Sequence, residues 1–236
     1  MALFAMEHAM SAKPLALIVG AGEGVSASLA RLLAREGYDI ALSARNVTKL
    51  AALAQEVSAS VQACDASVAA DVHALFGSLV RDPDVVVYNP SFRVRGPLID
   101  LDPAEVHRTL DVCAFGAFLV AQQAARRMLA KGSGTILFTG ASAGVKGYPR
   151  SAPFAMGKFA LRGLAQSMAR ELHPQNIHIG HVVIDGGIRS SRRVDEPGAD
   201  KLLDPDAIAQ SYLHLIRQPR SSWSWEIEVR PWVENF

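Results

Sequence analysis

Three glycines, at positions 20, 22 and 24, punctuate the stretch IVGAGEGVSASLA, which joins a short apolar run to a helical pattern. Such a turn lets backbone amides approach a pyrophosphate at a helix N-terminus, where a Cβ would stand in the way. Read as GxGxxG/A, the loop uses Gly22, Gly24 and Ala27; read as GxxxGxG, it uses Gly20, Gly24 and Ser26. Glycine-rich turns also serve tight strand-to-helix packing, so the placement after the first strand of a βαβ unit carries the nucleotide reading. A second clue lies about 20 residues beyond, where a site preferring NAD puts Asp or Glu against the ribose 2′-hydroxyl. Here that place holds Ala44 and Arg45, and Asp39 comes too early to serve. A guanidinium fork suits a 2′-phosphate, so NADP(H) is favoured over NAD(H). A solvated strand end is the plain alternative for Arg45, and Glu23, inside the loop, would repel a phosphate. Further along, PFAMGKFALRG sets Phe154 and Lys158 one helical turn apart, so that both face the same way.

These residues need a frame. Seven short runs read as strands: LALIVG (15–20), YDIALSAR (38–45), ASVQAC (59–64), DVVVYN (84–89), GTILFTG (134–140), IHIGHVVI (177–184) and SWEIEVR (224–230). Helical stretches lie between them. GVSASLARLLAREG has apolar residues at 25, 29, 32 and 33 and a stop at Gly37. NVTKLAALAQEV is capped by Asn46 or Thr48, and PAEVHRTLDVCAFGAFLVAQQAARRMLA and PFAMGKFALRGLAQSMAREL supply two long helices. The alternation predicts an α/β fold, a Rossmann-type doubly wound sheet of about seven parallel strands with helices on both faces and right-handed crossovers. Residues 14–236 are expected to form a single dinucleotide-binding domain behind a loosely ordered extension over residues 1–13. The stretch RSSRRVDEPGADKLLDP (189–205) is long for a connection and is expected to be a mobile segment over a site.

Hydrophobic residues make up 50% of the 236 and charged residues 20%, with a net charge of +1. That balance argues against a nucleic-acid surface. Cys64, Cys113 and the scattered histidines lack ligand spacing, so no metal site and no disulfide framework is expected. A cytoplasmic location is the expectation from the cysteine usage. MALFAMEHAMSAKP lacks the basic start of a signal peptide, and no apolar run approaches the about 20 residues of a membrane span, so no membrane partner is expected.

Taken in order, these segments resemble the short-chain dehydrogenase/reductase superfamily over essentially residues 14–236. GAGEGVS is similar to the family's TGxxxGxG loop, with Ser26 in place of the last glycine. CDAS (64–67) is similar to the acidic turn whose Asp65 neighbours the adenine. VYNPS (87–91) resembles the NNAG segment, matching at Asn89 and departing at Pro90 and Ser91. TILFTGASAG resembles the strand that ends at the catalytic serine, and FAMGK resembles YxxxK. IDGGIRS resembles the segment that meets the nicotinamide, with Ile188 and, at the threonine position, Ser190. The resemblance implies hydride transfer between C4 of a nicotinamide and a carbonyl or alcohol carbon of a small molecule. It also implies a tetrad: tyrosine as general acid, serine on the substrate oxygen, lysine on the ribose and beside the tyrosine, and asparagine holding a water. In this chain the lysine matches at Lys158, but the tyrosine falls on Phe154, the serine on Ala141 and the asparagine on Cys113.

An ammonium at Lys158 can still donate to both ribose hydroxyls without a tyrosine beside it. Positioned proton transfer contributes ~10²–10⁴-fold in rate, so loss of the acid and of the serine cripples ordinary ketone reduction unless another group serves. Tyr148, on the loop that borders the substrate pocket in the family, is one substitute. Ser142 is a second, although a one-residue shift at a strand end redirects its side chain. Tyr88 is a third, for which strand alternation favours burial. Phe154 taken alone reads as core filler. The expectation is an NADP(H)-dependent oxidoreductase with an altered proton-donor arrangement and a small-molecule substrate; the alternative is a non-catalytic dinucleotide-binding or sensor protein. RSSRR (189–193) reads as a solvated loop or as a holder of an anionic substrate group or the cofactor phosphate. The resemblance further implies a homodimer or homotetramer, built on the long helices and the C-terminal strand.

Overall fold

Alternation along the strands decides which side of the sheet each helix covers. In β1 (Leu15–Val19), Leu15, Leu17 and Val19 join one apolar core while Ala16 and Ile18 join another, because successive residues of a strand point to opposite faces. The same division continues through β2 (Asp39–Ala44), β4 (Val85–Tyr88), β5 (Gly134–Thr139) and β6 (Ile177–Ile184), while β3 (Ser60–Ala63) and β7 (Glu226–Val229), at the two edges, pack Val61, Ile227 and Val229 against the second core. All neighbouring pairs are parallel, in the order β3-β2-β1-β4-β5-β6-β7. The structure, a computed structural model, describes residues 12–196 and 198–234. The extension expected over residues 1–13 lies outside the described residues except for its last two.

In chain order the helices are α1 (Val25–Arg35), α2 (Ala51–Val57), α3 (Ala69–Gly77), α4 (Pro103–Leu110), α5 (Gly116–Lys131), α6 (Ala152–Leu172) and α7 (Pro205–Arg217). Leu29 and Leu33 of α1, Leu53 of α2, and Tyr212 and Leu215 of α7 pack on one face of the sheet. Phe76 of α3, Val120 and Ala124 of α5, and Leu161 and Ala165 of α6 pack on the other. Each Leu or Ile so buried contributes roughly 1.5–3 kcal/mol. Asp102 and Asp204 cap α4 and α7 through the amides of Ala104 and Asp206, each followed by a proline at the first helical position.

One sequence expectation needs correction. The long helix read over 103–130 is not uniform: α4 and α5 are joined by a π turn over Asp111–Phe115. The widened turn inserts a residue into the helix, a device often found at functional sites, and it carries the fully buried Cys113.

The chain leaves β1 for β2 on one side and reaches β4 on the other, so the strand order reverses between β1 and β4. Open parallel sheets bind ligands in the crevice beyond the C-terminal strand ends at such a reversal. The glycine loop follows β1, Arg45 follows β2, Asp65 follows β3, Asn89 follows β4, Ser142 follows β5, and Ile188 and Ser190 follow β6. One edge of the sheet therefore gathers these residues.

Candidate active site

The loop after β1 is shaped by backbone. Gly20 has φ 76°, and a Cβ there would lie 2.6 Å from the nitrogen of Pro90. Asn89 holds the loop from the side: its amide donates to Ser26 Oγ at 2.7 Å and to the Gly20 carbonyl at 3.3 Å. Ser26 is buried, and its hydroxyl donates on to the Gly20 carbonyl at 3.4 Å. Ser26 and Asn89 thus brace the loop. Gly24 sits before α1 with no side-chain cap, which leaves the first amides of that helix available. A Cβ at Gly22 or Gly24 would touch nothing within 4 Å; the loop is open on its outer side, as a pyrophosphate would require.

That open side faces a cavity of about 890 Å³, lined among others by Gly20, Gly22, Glu23, Arg45, Asp65, Asn89 and Ser190. The structure also brings to its wall Arg192, from the RSSRR cluster, and two residues not singled out from the sequence, Lys49 and Ser67. Lys49 lies four residues beyond Arg45, within a 3₁₀ segment (Val47–Leu50) that Asn46 caps. Burial alone would raise the Asp65 carboxyl, but the hydroxyl and amide of Ser67, at 2.6 and 3.0 Å, together with Arg45 and Arg108, hold it below the usual range. Burial pushes the Cys64 thiol, on the same wall, up to about 11, so it stays protonated. A smaller cavity of about 470 Å³ continues past Glu23, Asn89 and Ser190 to Thr139, Ile188 and Arg193.

The 189–205 segment forms part of both walls and is tied down at its ends. Arg189 pairs with Asp204, its amide donates to the Leu203 carbonyl at 2.9 Å, and Leu203 donates back to Gly187 at 2.8 Å.

Lys158 projects from α6 and is only 2% exposed. Its ammonium donates to the Thr139 carbonyl at 2.8 Å, directly behind the smaller cavity. Burial lowers its pKa, with Cys113 opposing, because an ammonium removed from water loses solvation. The three positions where the resemblance expects Asn, Ser and Tyr converge beside it: Cys113 and Phe154 form an apolar cluster with Ala143, and Ala141 packs against it. Gly157 permits the approach, since a Cβ there would lie 2.8 Å from Cys113 Cβ. Cys113 Sγ donates to the Phe92 carbonyl at 3.4 Å. No hydroxyl stands in this cluster.

The candidate substitutes divide. Tyr148 and Ser142 line one cavity of about 620 Å³. Tyr88 belongs to the core, with its hydroxyl on the Val112 carbonyl at 2.5 Å. His181 is buried, with Nδ1 2.9 Å from Glu226, which also takes both arms of Arg162. Among the described residues no group of three or more His, Cys, Asp or Glu is placed to hold a metal ion, and no helix is long and apolar enough to cross a membrane.

A family model described as short chain dehydrogenase matches residues 14–196. Short-chain dehydrogenase/reductase eriH of Hericium erinaceus is 32% identical over 181 residues, covering 71% of this chain and 72% of its own length. Glycine betaine reductase ATRR of Emericella nidulans is 26% identical over 92% of this chain, which spans only 18% of that longer protein. Among solved structures, a short-chain dehydrogenase from Rhodopseudomonas palustris is 33% identical with a TM-score of 0.81, over 93% of this chain and 99% of that one. A metagenomic short-chain oxidoreductase in complex with NADP is 29% identical with a TM-score of 0.80, over 94% and 98%.

Proposed function

The chain belongs to the short-chain dehydrogenase family, and from that premise we propose that it is an NADP(H)-dependent oxidoreductase whose proton donor has moved away from the family's tyrosine position. One observation carries the reading: the open glycine loop, the Asp65 turn and the Arg45–Lys49 pair line a single cavity, with the buried Lys158 behind its extension. The NADP complex of the metagenomic relative supports a nicotinamide dinucleotide as the occupant. Preference for NADP(H) rests on the two cations, which suit a 2′-phosphate, and on the absence of a carboxylate at the end of β2.

When bound, the nicotinamide supplies or accepts the hydride. The remaining work falls to side chains. Lys158 has three ammonium protons, of which one is engaged by Thr139, leaving two for ribose hydroxyls. Gly22 and Gly24 would present backbone to the pyrophosphate, Gly20 shapes the turn with its own amide on the Ser43 carbonyl, and Asp65 would accept at the adenine end. Ile188 and Ser190 flank the nicotinamide end. The apolar cluster of Cys113, Ala141, Ala143 and Phe154 offers a substrate oxygen no hydroxyl, and its one polar hydrogen, on the Cys113 thiol, is turned onto the Phe92 carbonyl. The hydroxyl groups that would give a proton to a substrate oxygen are then those of Tyr148 and Ser142, which line one cavity together. The substrate is a small carbonyl or alcohol compound.

The apolar cluster favours a second reading, a dinucleotide-binding protein without turnover. Following nicotinamide fluorescence while titrating NADPH and NADH tests the shared premise, and failure of both to bind at millimolar levels sinks it. A panel of aldehydes, ketones and quinones with NADPH then separates the readings. Turnover that falls in Tyr148→Phe or Ser142→Ala supports the first reading, and binding without turnover supports the second.

A further inference from the structure

The cavity that holds Tyr148 and Ser142 is lined by three arginines, Arg93, Arg95 and Arg150, and by no acidic side chain. Several other guanidinium groups are balanced by carboxylates: Arg31 pairs with Glu56, Arg81 with Asp39, Arg162 with Glu226 and Arg217 with Glu36. Among the described residues none of the three has a carboxylate partner. Burial, and then the like charges of Arg95 and Arg193, lower the pKa of Arg93; cations that converge in this way lack a counter-charge.

Four further details of the same wall fit a built site. Ser151 is 2% exposed, and its Oγ has no hydrogen-bond partner among the described residues; a buried hydroxyl left unpaired is costly unless a ligand engages it. Arg150 holds φ 61°, a left-handed backbone uncommon outside glycine, and strain of that kind gathers at ligand sites. Its carbonyl accepts from the Gly96 amide at 3.1 Å, which ties the loop of Arg95 to the loop of Arg150. Finally, the Arg93 guanidinium lies over the Phe154 ring, 4.8 Å from its centroid. The phenyl ring at the family's tyrosine position seats a cation.

We propose that this cavity is an oxyanion subsite, in which Arg93, Arg95 and Arg150 hold the carboxylate or phosphate group of a small-molecule substrate. The proposal names the substrate class of the site described under Proposed function and rests on that reading. Guanidinium forks match either group in a two-pronged fashion. Ser151 and Tyr148 add neutral donors, and Phe154 fixes the position of Arg93.

The test uses the whole protein. Inorganic phosphate and benzoate are titrated calorimetrically into protein saturated with NADPH, and again without nucleotide. Wild type is expected to bind at least one of them, and the one that binds identifies the group. Arg95→Ala and Arg150→Gly are expected to weaken binding about tenfold or more each, with Arg95→Lys intermediate and Arg217→Ala unchanged. Arg150→Gly also relieves the φ strain, so its melting temperature is expected to hold or rise, which separates loss of the subsite from loss of the fold. Arg95-dependent anion binding without any NADPH binding retains the subsite and sinks the nucleotide reading. NADPH binding with no anion binding, or anion binding equal in wild type, Arg95→Ala and Arg150→Gly, overturns the subsite.

Discussion

Two loops leave the same edge of the same sheet and have opposite character. The turn after β1, with its braces Ser26 and Asn89, presents backbone amides and open space to a polar cavity. The end of β5, the π turn and α6 converge instead on Cys113, Ala141, Ala143 and Phe154, a patch with no hydroxyl, whose one polar hydrogen is the Cys113 thiol on the Phe92 carbonyl. Nucleotide binding relies on backbone geometry and a few fixed charges, whereas proton transfer relies on one titratable group at one place. The first can persist when the second is lost, and the contrast can be broken or sharpened by substitution on either side.

The largest expected effect is on the glycine side. Gly20→Val places a branched side chain on a φ of 76°, against Pro90, and should cost about 3 kcal/mol or more in stability. Urea denaturation and NADPH titration should both register the loss; near-wild-type behaviour would mean the loop is not rigidly specified. Next comes the apolar side. Ala141→Ser with Phe154→Tyr restores a hydroxyl pair beside Lys158, and carbonyl reduction with NADPH is expected to rise about 100-fold while NADPH affinity stays unchanged. An unchanged rate with intact binding would show that the cluster is not where the substrate oxygen lies.

Lys158 bridges the two regions, and removing it should divide their effects. Lys158→Met is expected to weaken NADPH binding about tenfold while the melting temperature holds or rises, because a buried ammonium is exchanged for an apolar chain of similar length. A lower melting temperature with unaltered binding would reverse that assignment. Arg45→Ala is expected to reduce NADPH affinity by roughly tenfold and leave NADH affinity alone, as competitive titrations would record.

The smallest effect is on acid stability. Burial lowers the pKa of His181, so below about 6.5 the unfolded chain takes up a proton that the folded chain refuses. Burial would raise Glu226, but Arg162 and His181 outweigh it and hold the carboxyl below 4.5. Stability should therefore fall with pH in two stages, the first below about 6.5 and the second as pH drops through the lowered Glu226 value. Asp65, also held low, contributes to that second stage, so Glu226→Gln should shrink it in melting curves recorded against pH without abolishing it.

Much of the frame was legible because strands and helices announce themselves by period. IHIGHVVI matches β6 residue for residue, and the other six strands fall inside the runs that the sequence marked. The π turn was not legible, since it changes the helix by a single residue and leaves the apolar pattern of 103–130 nearly intact. At the site, Arg45 could be found by counting from the glycines, and Lys49 lay within reach of the same count. The arginine cavity could not: Arg93 and Arg95 are separated from Arg150 by two helices and a strand, and only the Gly96–Arg150 hydrogen bond joins their loops. Ser26 matched a motif position, yet only its bonds to Gly20 and from Asn89 show that it faces inward.

By itself the amino-acid sequence determined the order of strands and helices, the glycine turn and the identities at Phe154, Ala141 and Cys113, because local propensity and residue type are properties of the chain read in one dimension. Tertiary structure alone decided that those three side chains close into one apolar cluster, that Lys158 is buried against Thr139, and that three distant arginines share a wall. Burial and convergence of charge depend on which segments meet across the sheet edge, and a linear pattern contains no measure of that distance.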